Sequence, residues 1–563
     1  MTQDLFPPVS VDVPKKGFFA PEVYEEALRR YPTVAELVAK KAEENKDKTW
    51  LIFADGRRYS YKDVDRLSDG LAAGLYELGV RNENKVAIFA LNSPEWILSY
   101  LAILKLGAVP VTVNTGFIKD PLIYNLKAAE AEYLIVDYRL MEAYKNVEAE
   151  LGNLKQIIIS GKHGFDSKNE PVNPYAFLED LISKQPDPGI KVKKFGQDPC
   201  AMILTSGTTG PSKVVVDCNA QFISTSLFMI DAGGITGDSV VYVYLPLFHI
   251  MALDLATISS LLGNATMVLV EKFSPANFWE DIQKYNVTHF HAVGPILEML
   301  MKMPPSPLEH EHGQLTAIAY SSKEVWNAAK ARFKISITGG YGSTEVGIPV
   351  SSPNDSVVSG QNPPGSCGLV GPHVELKIMD EHGQIQPGGR VGEIVVRPRL
   401  PWTTFLGYYG MPKQTVEAFH GLWFHTGDAG YFDDNNYLYF VDRVKDAIRR
   451  KGENISSYEV EQVLLKNPAV QEAAVIPAPS EVGEDEVMAV IVARPGEELS
   501  PERVIDYCLE NMPHFWVPRY VLMIQGLPRT ATGRIEKFKL RQEGVTQDTH
   551  DLKDYRQGLR SRG

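Results

Sequence analysis

Leu204-Thr-Ser-Gly-Thr-Thr-Gly-Pro-Ser-Lys213 crowds serine and threonine hydroxyls, two glycines and a lysine into one short run. An apolar stub, Ala201 to Leu204, leads into it and a second, Val214 to Val216, leads out. The stretch therefore predicts strand, polar loop, strand. Glycines let backbone approach a ligand closely, and successive N–H groups beside hydroxyls form an anion-binding nest. Lys213 adds a point charge suited to phosphate. The spacing is not that of a Walker loop, because Gly207 and Lys213 stand six apart with Gly210 between them. On these residues alone a phosphate cradle and a flexible surface loop both stay open.

Upstream, the chain alternates helix and strand. Ser60 and Asp63 form an S-x-x-D capping box, Val64, Leu67, Leu71, Leu75 and Leu78 recur at helical spacing, and Gly79 ends the run. Val86 to Ala90 reads as a strand covered on both faces, Pro94 to Leu106 as a helix and Val109 to Val113 as a strand. That pace predicts an α/β fold with a large, multi-layer N-terminal domain built on parallel sheets. Residues 1 to 30, Pro-rich and charged, read as an arm wrapping this domain. From about Gly368 the texture changes. Val374–Met379 and Gly392–Arg397 alternate around Asp380-Glu-His-Gly-Gln-Ile-Gln-Pro-Gly-Gly389, a hairpin signature. Beyond Val444 a short set of strands and helices predicts a small α+β unit. The expected division is residues 1–444, with a small β-barrel at about 368–440, and a mobile C-terminal domain over 445–563.

The bulk numbers fit a cytoplasmic enzyme. The 563 residues are 44% apolar and 23% charged, with a net charge of −13. That balance argues against a nucleic-acid binder, which needs a basic face. Four dispersed cysteines without a CxxC pair suit reduced thiols. No signal peptide is read, since the N-terminus has no apolar run behind a basic start, and no membrane span, since the apolar run Ile97 to Val113 holds Lys105 and Pro110.

Three further stretches join the first: Gly340-Tyr-Gly-Ser-Thr-Glu345, Trp423-Phe-His-Thr-Gly-Asp428 before a strand–turn–strand ending at Arg443, and Pro528-Arg-Thr-Ala-Thr-Gly-Arg534. In this order and spacing they resemble the adenylate-forming family of acyl-CoA synthetases, firefly-type luciferases and the adenylation domains of nonribosomal peptide synthetases. The resemblance runs from about Pro32 to Arg541. Within it, Val444-Lys-Asp-Ala-Ile-Arg-Arg-Lys-Gly-Glu-Asn-Ile-Ser-Ser-Tyr-Glu-Val-Glu461 looks closest to the crotonobetaine/carnitine-CoA ligase branch.

The resemblance implies an ATP-dependent acid–thiol ligase. A carboxylate attacks the α-phosphorus of ATP to give acyl-adenylate and pyrophosphate; a thiol, most simply that of coenzyme A, then expels AMP. It implies that Thr205, Ser206, Gly207, Thr208, Thr209, Gly210 and Lys213 cradle the β- and γ-phosphates. Thr344 would bond the α-phosphate, Glu345 would hold Mg²⁺, Tyr341 would stack on adenine, and Gly340 and Gly342 would belong to the same cofactor site. Asp428, with Arg443 beside it, suits the ribose hydroxyls. Lys445 maps to a hinge that presents the near-terminal Arg534 in one half-reaction and the Arg449–Asn454 loop in the other. Arg450, Lys451 and Gly452 are the candidates for coenzyme A, with a solvated basic turn as the alternative. The acyl pocket implied is His249, Ile250, Met251, His291, Gly294, Gly340 and Ile348, mainly apolar with a few polar points. His289 and His291 in one strand, and His310 and His312 in a loop, lack the company of a zinc site. The partners implied are a small carboxylic acid and coenzyme A, and a homodimer is left open.

Three departures from the family pattern bear on ATP. Arg534 stands where the family carries lysine, a planar fork in place of a point charge. Ala317 to Val325 runs several residues short on the adenine side. After Lys213 comes Val214 rather than glycine, and Asp217-Cys218 replaces a common Thr-His. These motivate two other readings: an adenylating enzyme that passes the acyl group to an amine or a carrier-protein thiol, and a nucleotide- or acyl-adenylate-binding protein with weak or no turnover.

Overall fold

The computed structural model describes residues 17–165, 175–186, 189, 192–205, 213–292, 294–319, 323–443, 448–450, 453–455, 457–479, 485–512, 516–529, 535–553 and 555. Two large sheets form its centre. One runs Gly407–Tyr408, Lys213–Cys218, Pro199–Thr205, Val109–Thr112, Lys85–Phe89, Tyr133–Asp137, Gln156–Ser160 and Tyr175–Phe177. Its pairings are parallel from Pro199–Thr205 outward and antiparallel at the Lys213 edge. The other runs Ser336–Thr338, Thr316–Ala319, His289–Ala292, Val240–Val243, Thr266–Leu269, Thr49–Phe53 and Arg58–Ser60, parallel except for the last pair.

Alternation along the strands explains the layers. Val86 and Ile88 face one way, Ala87 and Phe89 the other, and each set joins a different core. In the second sheet Val241 and Val243 face inward while Tyr242 and Tyr244 face outward. The inward sets meet around the helices Tyr61–Glu77, Pro94–Lys105 and Asn219–Gly233. Every residue of Asn219–Gly233 is buried, as a helix sandwiched between two sheets must be. Tyr61–Glu77 starts as read: Ser60 accepts from Asp63 N–H while Asp63 accepts from Ser60 N–H, and Gly79 follows at φ +96°.

Within the N-terminal arm, Pro21–Arg30 is a helix that starts on proline, where the missing N–H costs nothing. Its Tyr24 is buried against the central helix, and Asp231 of that helix ties the arm down. One carboxylate oxygen accepts from Phe19 N–H at 2.6 Å and from the Tyr24 hydroxyl at 3.4 Å. Asp231 is 1% exposed, and burial pushes its carboxyl up to about 7 against the pull of those two donors. Because the folded chain holds this proton more tightly than the unfolded one, with its pKa near ~3.9, stability falls as pH rises between those values. Asp231→Asn removes the ionisation and keeps an acceptor for Phe19. The variant should melt a few degrees above the parent at pH 8, with the gap closing at pH 5. An equal or lower midpoint at pH 8 contradicts this.

Downstream, Val374–Met379, Gly392–Pro398, Trp423–Phe432, Phe419–His420 and Leu438–Arg443 make an antiparallel sheet. Its order is open, so the barrel expected near 368–440 is a half-barrel. The C-terminal part packs Ser457–Leu465 and Pro501–Asn511 around Val470–Pro479, Asp485–Ala493, Tyr520–Met523 and His550–Asp551, an α+β arrangement. All four cysteines are free and buried. Among the described residues no helix is long and apolar enough to cross a membrane.

Candidate functional site

The quoted stretch begins and ends in strand, with Thr205 opposite Lys213 in the antiparallel pair. Ser206, Gly207, Thr208, Thr209 and Gly210 lie outside the described residues. Thr205 stands at the carboxyl end of a strand in a largely parallel sheet, where open α/β folds place ligands. The second sheet delivers its contribution at the same kind of position. After Ser336–Thr338 the chain forms a tight hairpin of Gly340–Ser343 and Gly347–Ser351, whose turn presents Thr344 and Glu345.

One residue joins the two contributions. Tyr408 pairs with Val215 beside Lys213, and the Lys213 ammonium lies 4.4 Å from the centroid of its ring. The Tyr408 hydroxyl donates to Glu345 Oε1 at 3.0 Å. Phe405 N–H donates to the Glu345 carbonyl at 2.9 Å, and Gln221 Nε2 of the central helix donates to the Thr344 carbonyl at 3.0 Å. Lys213 and the adjacent pair Thr344 and Glu345, far from it in the chain, thus share one neighbourhood. Lys213 and Glu345 are each half-buried.

Asp428 lies inside the strand Trp423–Phe432 rather than before a strand, opposite Arg443 of the next one. It is 4% exposed, and its Oδ2 accepts from the Tyr341 hydroxyl at 2.7 Å. The Tyr341 ring stacks toward Phe440 at 6.3 Å. The nominated adenine and ribose residues are therefore bonded to each other. Glu393 props the same strand, accepting from Gly427 N–H at 3.0 Å and meeting His425 Nδ1 at 2.8 Å. Sequence reading missed Tyr408, Gln221 and Glu393.

The acyl-pocket nominees only partly converge. Ile250 and Met251 pack on the core that contains Ile348, and a Cβ on Gly340 would lie 2.9 Å from Ile348 Cδ1. His249 is half-buried ahead of the short helix Ile250–Ala252, its ring against Phe248. His291 is 2% exposed in register with Ile318, and burial drives its pKa down to about 3, so the ring is neutral. Gly294 begins the helix Gly294–Lys302. His289 is held neutral too, at about 4, with Nε2 2.9 Å from the Gly233 carbonyl. Among the described residues no group of three His, Cys, Asp or Glu side chains is placed to hold a metal.

In the C-terminal part, Arg450 of the basic stretch is buried rather than solvated. Arg450 is 7% exposed; its guanidinium lies 2.9 Å from Glu486 and donates to the Val517 carbonyl at 3.2 Å. In this arrangement Arg450 is engaged in a buried ion pair, because the strand Ile448–Arg450 turns it inward. Lys451, Gly452, Lys445 and Arg534 lie outside the described residues. The lysine nearest Arg534 in the described chain, Lys537, is engaged elsewhere, with Nζ 2.7 Å from Glu461 and 2.6 Å from Ser457 Oγ.

A cavity of about 610 Å³ is lined by Thr33, Glu36, Asp65, Asp69, Lys105 and Pro199, among others. It sits at the Pro199 end of the strand whose other end is Thr205, some ~20 Å away at about 3.3 Å per residue. It belongs to a different region from Lys213 and Glu345.

This geometry has relatives. A family model described as AMP-binding enzyme matches residues 38–409, and one described as AMP-binding enzyme C-terminal domain matches residues 459–534. The chain belongs to the AMP-binding enzyme family. A crotonobetaine/carnitine–CoA ligase from Escherichia coli O45:K1 (strain S88 / ExPEC) is 30% identical over 491 residues, 86% of this chain and 93% of that protein. The protein of that description from Shigella flexneri matches to the same extent. Among solved structures, the anthranilate CoA ligase AuaEII in complex with anthranoyl-AMP is similar with a TM-score of 0.78 at 26% identity. That match covers 91% of this chain and 97% of the other. ATP-bound MatB from Rhodopseudomonas palustris gives 0.78 at 26% identity, covering 90% and 98%. The adenylate-forming resemblance read from the motifs is thereby established as family membership, and with it the mixed α/β fold with a small C-terminal α+β part.

Proposed function

We propose that the protein is an AMP-forming carboxylic acid:coenzyme A ligase that works through an acyl-adenylate. The observation that carries this reading is the convergence of Lys213 and Glu345 on Tyr408, beside the turn that presents Thr344. Two anions must meet in adenylation, so charge neutralisation and in-line positioning are the tasks of the site. Lys213 and the 205–210 loop hold the phosphates that leave as pyrophosphate, and the Thr344 hydroxyl steadies the α-phosphate. Glu345 offers a half-buried, hard carboxylate with one oxygen already oriented by Tyr408, a donor suited to Mg²⁺. Mg²⁺ bound there with ATP supplies positive charge to the phosphates. Asp428, oriented by Tyr341, accepts from the ribose. The acid lies toward Ile250, Met251, Ile348 and neutral His291, which suits a mainly apolar, medium-sized organic acid. The four buried free cysteines fit a reducing, cytoplasm-like compartment.

The test is a pyrophosphate-release screen over a panel of carboxylic acids with ATP, Mg²⁺ and coenzyme A, with thioester measured in parallel. Acid-dependent pyrophosphate and a matching thioester support the reading. Silence across a broad panel favours a nucleotide-binding protein without turnover. Pyrophosphate release that ignores coenzyme A favours transfer to an amine or carrier-protein thiol. The burial of Arg450 against Glu486 keeps that acceptor reading in view.

The same reading divides the chain at 444/445, with Lys445 as the hinge and Arg534 acting in the first half-reaction. Arg534→Lys should then preserve or raise acyl-adenylate formation and leave thiol transfer from a supplied acyl-adenylate unaltered. Equal losses in both halves would refute the role given to Arg534.

A further inference from the structure

We propose that Tyr408 is a positioning residue that keeps Lys213 and Glu345 apart and aimed, so that the two charges do not neutralise each other before nucleotide arrives. The proposal rests on the reading of Lys213 as a phosphate ligand and Glu345 as the Mg²⁺ carboxylate.

Opposite charges on neighbouring elements pair directly unless something intervenes. Here the Lys213 ammonium rests on the face of the Tyr408 ring at 4.4 Å, while Glu345 Oε1 takes the hydroxyl at the ring's tip at 3.0 Å. Among the described residues Lys213 forms no ion pair with a carboxylate. A cation over a phenol ring is held by weak attraction and leaves its N–H donors free for a stronger acceptor such as phosphate. A carboxylate that accepts one O–H keeps lone pairs for a cation.

The ring itself is well fixed. Tyr408 is 7% exposed and its N–H donates to Thr415 Oγ1 at 2.9 Å. Its ring meets Phe405 edge-on at 5.1 Å, and Phe405 in turn holds the Glu345 main chain. The Gly407–Tyr408 strand is paired to the strand that Lys213 opens, so both groups are referenced to one piece of sheet.

Calorimetric titration of the full chain with ATP, at a series of Mg²⁺ concentrations, tests this. Tyr408→Phe keeps the ring and removes the donor. It should weaken ATP binding in Mg²⁺ about ten-fold, raise the Mg²⁺ needed for half-saturation, and leave Mg²⁺-free ATP binding within about two-fold. In a Glu345→Gln background the same substitution should add nothing, because the hydroxyl acts through that carboxylate. A purely structural role for Tyr408 would not vanish in that background. Tyr408→Leu also removes the seat of Lys213 and should weaken Mg²⁺-free binding as well; if it fails to fold, Tyr408→Phe decides alone. A parental Mg²⁺ midpoint in Tyr408→Phe, alongside a shifted one in Glu345→Gln, overturns the proposal and spares the site. Parental binding in both Lys213→Ala and Glu345→Gln overturns the site reading and the proposal together.

Discussion

Lys213→Ala and Glu345→Ala should each lower acid-dependent pyrophosphate release by about 10²–10³-fold, the usual cost of removing one preorganised group from a site of developing charge. Both side chains are half-buried at a strand start and a hairpin turn, and each contacts Tyr408. Their removal should therefore leave the thermal midpoint close to that of the parent. The two losses should differ in kind. Without Lys213, ATP binding weakens whether or not Mg²⁺ is present; without Glu345, the loss appears chiefly in the Mg²⁺ dependence. Steady-state pyrophosphate assays with a Mg²⁺ series separate them. Parental release in both variants would remove these residues from the reaction.

The second large effect comes from backbone. A Cβ on Gly342 would lie 2.1 Å from the Gly347 carbonyl oxygen and 3.1 Å from Ile348 Cα. Both obstacles are main chain, so no rotamer change relieves them, and the hairpin must open. Thr344 and Glu345 sit in its turn, and a displacement near 1 Å at such a site costs on the order of 10² in rate. Gly342→Ala should thus lose at least ~10²-fold in pyrophosphate release and several degrees of thermal midpoint, within the class of strained backbone substitutions. Gly313→Ala is the control, since a Cβ there meets nothing within 4 Å. Normal activity in Gly342→Ala would mean that the turn is not where the reaction takes place.

Much of this frame was legible from residues in order. Short apolar runs gave strands because parallel sheets covered on both faces demand them, as Val86 to Phe89 shows. The Ser60–Asp63 box marked its helix because capping is a local contact. Lys213, Thr344, Glu345 and Asp428 were nominated from motifs, and the fold gathers the first three. What stayed hidden depends on distant pairing. Tyr408 acts through Glu345, 63 positions away, and Gln221 reaches Thr344 across 123. Neither carries a periodic or compositional mark.

Arg450 shows the converse. A run of basic residues reads as a coenzyme A site or a solvated turn, yet strand alternation aims one of them at Glu486, which only the tertiary fold brings near. A small barrel was read here because alternation and turn residues report strands; closure depends on which edges meet. Asp231, 1% exposed at the arm's anchor, had no sequence signal, since a lone aspartate in an apolar helix is indistinguishable from a surface one until its neighbours are known.

A crystal structure of the chain with a non-hydrolysable ATP analogue and Mg²⁺ bears most directly on the central claim. The terminal phosphates should lie within hydrogen-bond reach of Lys213 Nζ, with a cation at Glu345 and the ribose at Asp428. Nucleotide bound instead in the cavity lined by Thr33, Asp65 and Lys105, with Lys213 still resting on Tyr408, would contradict it.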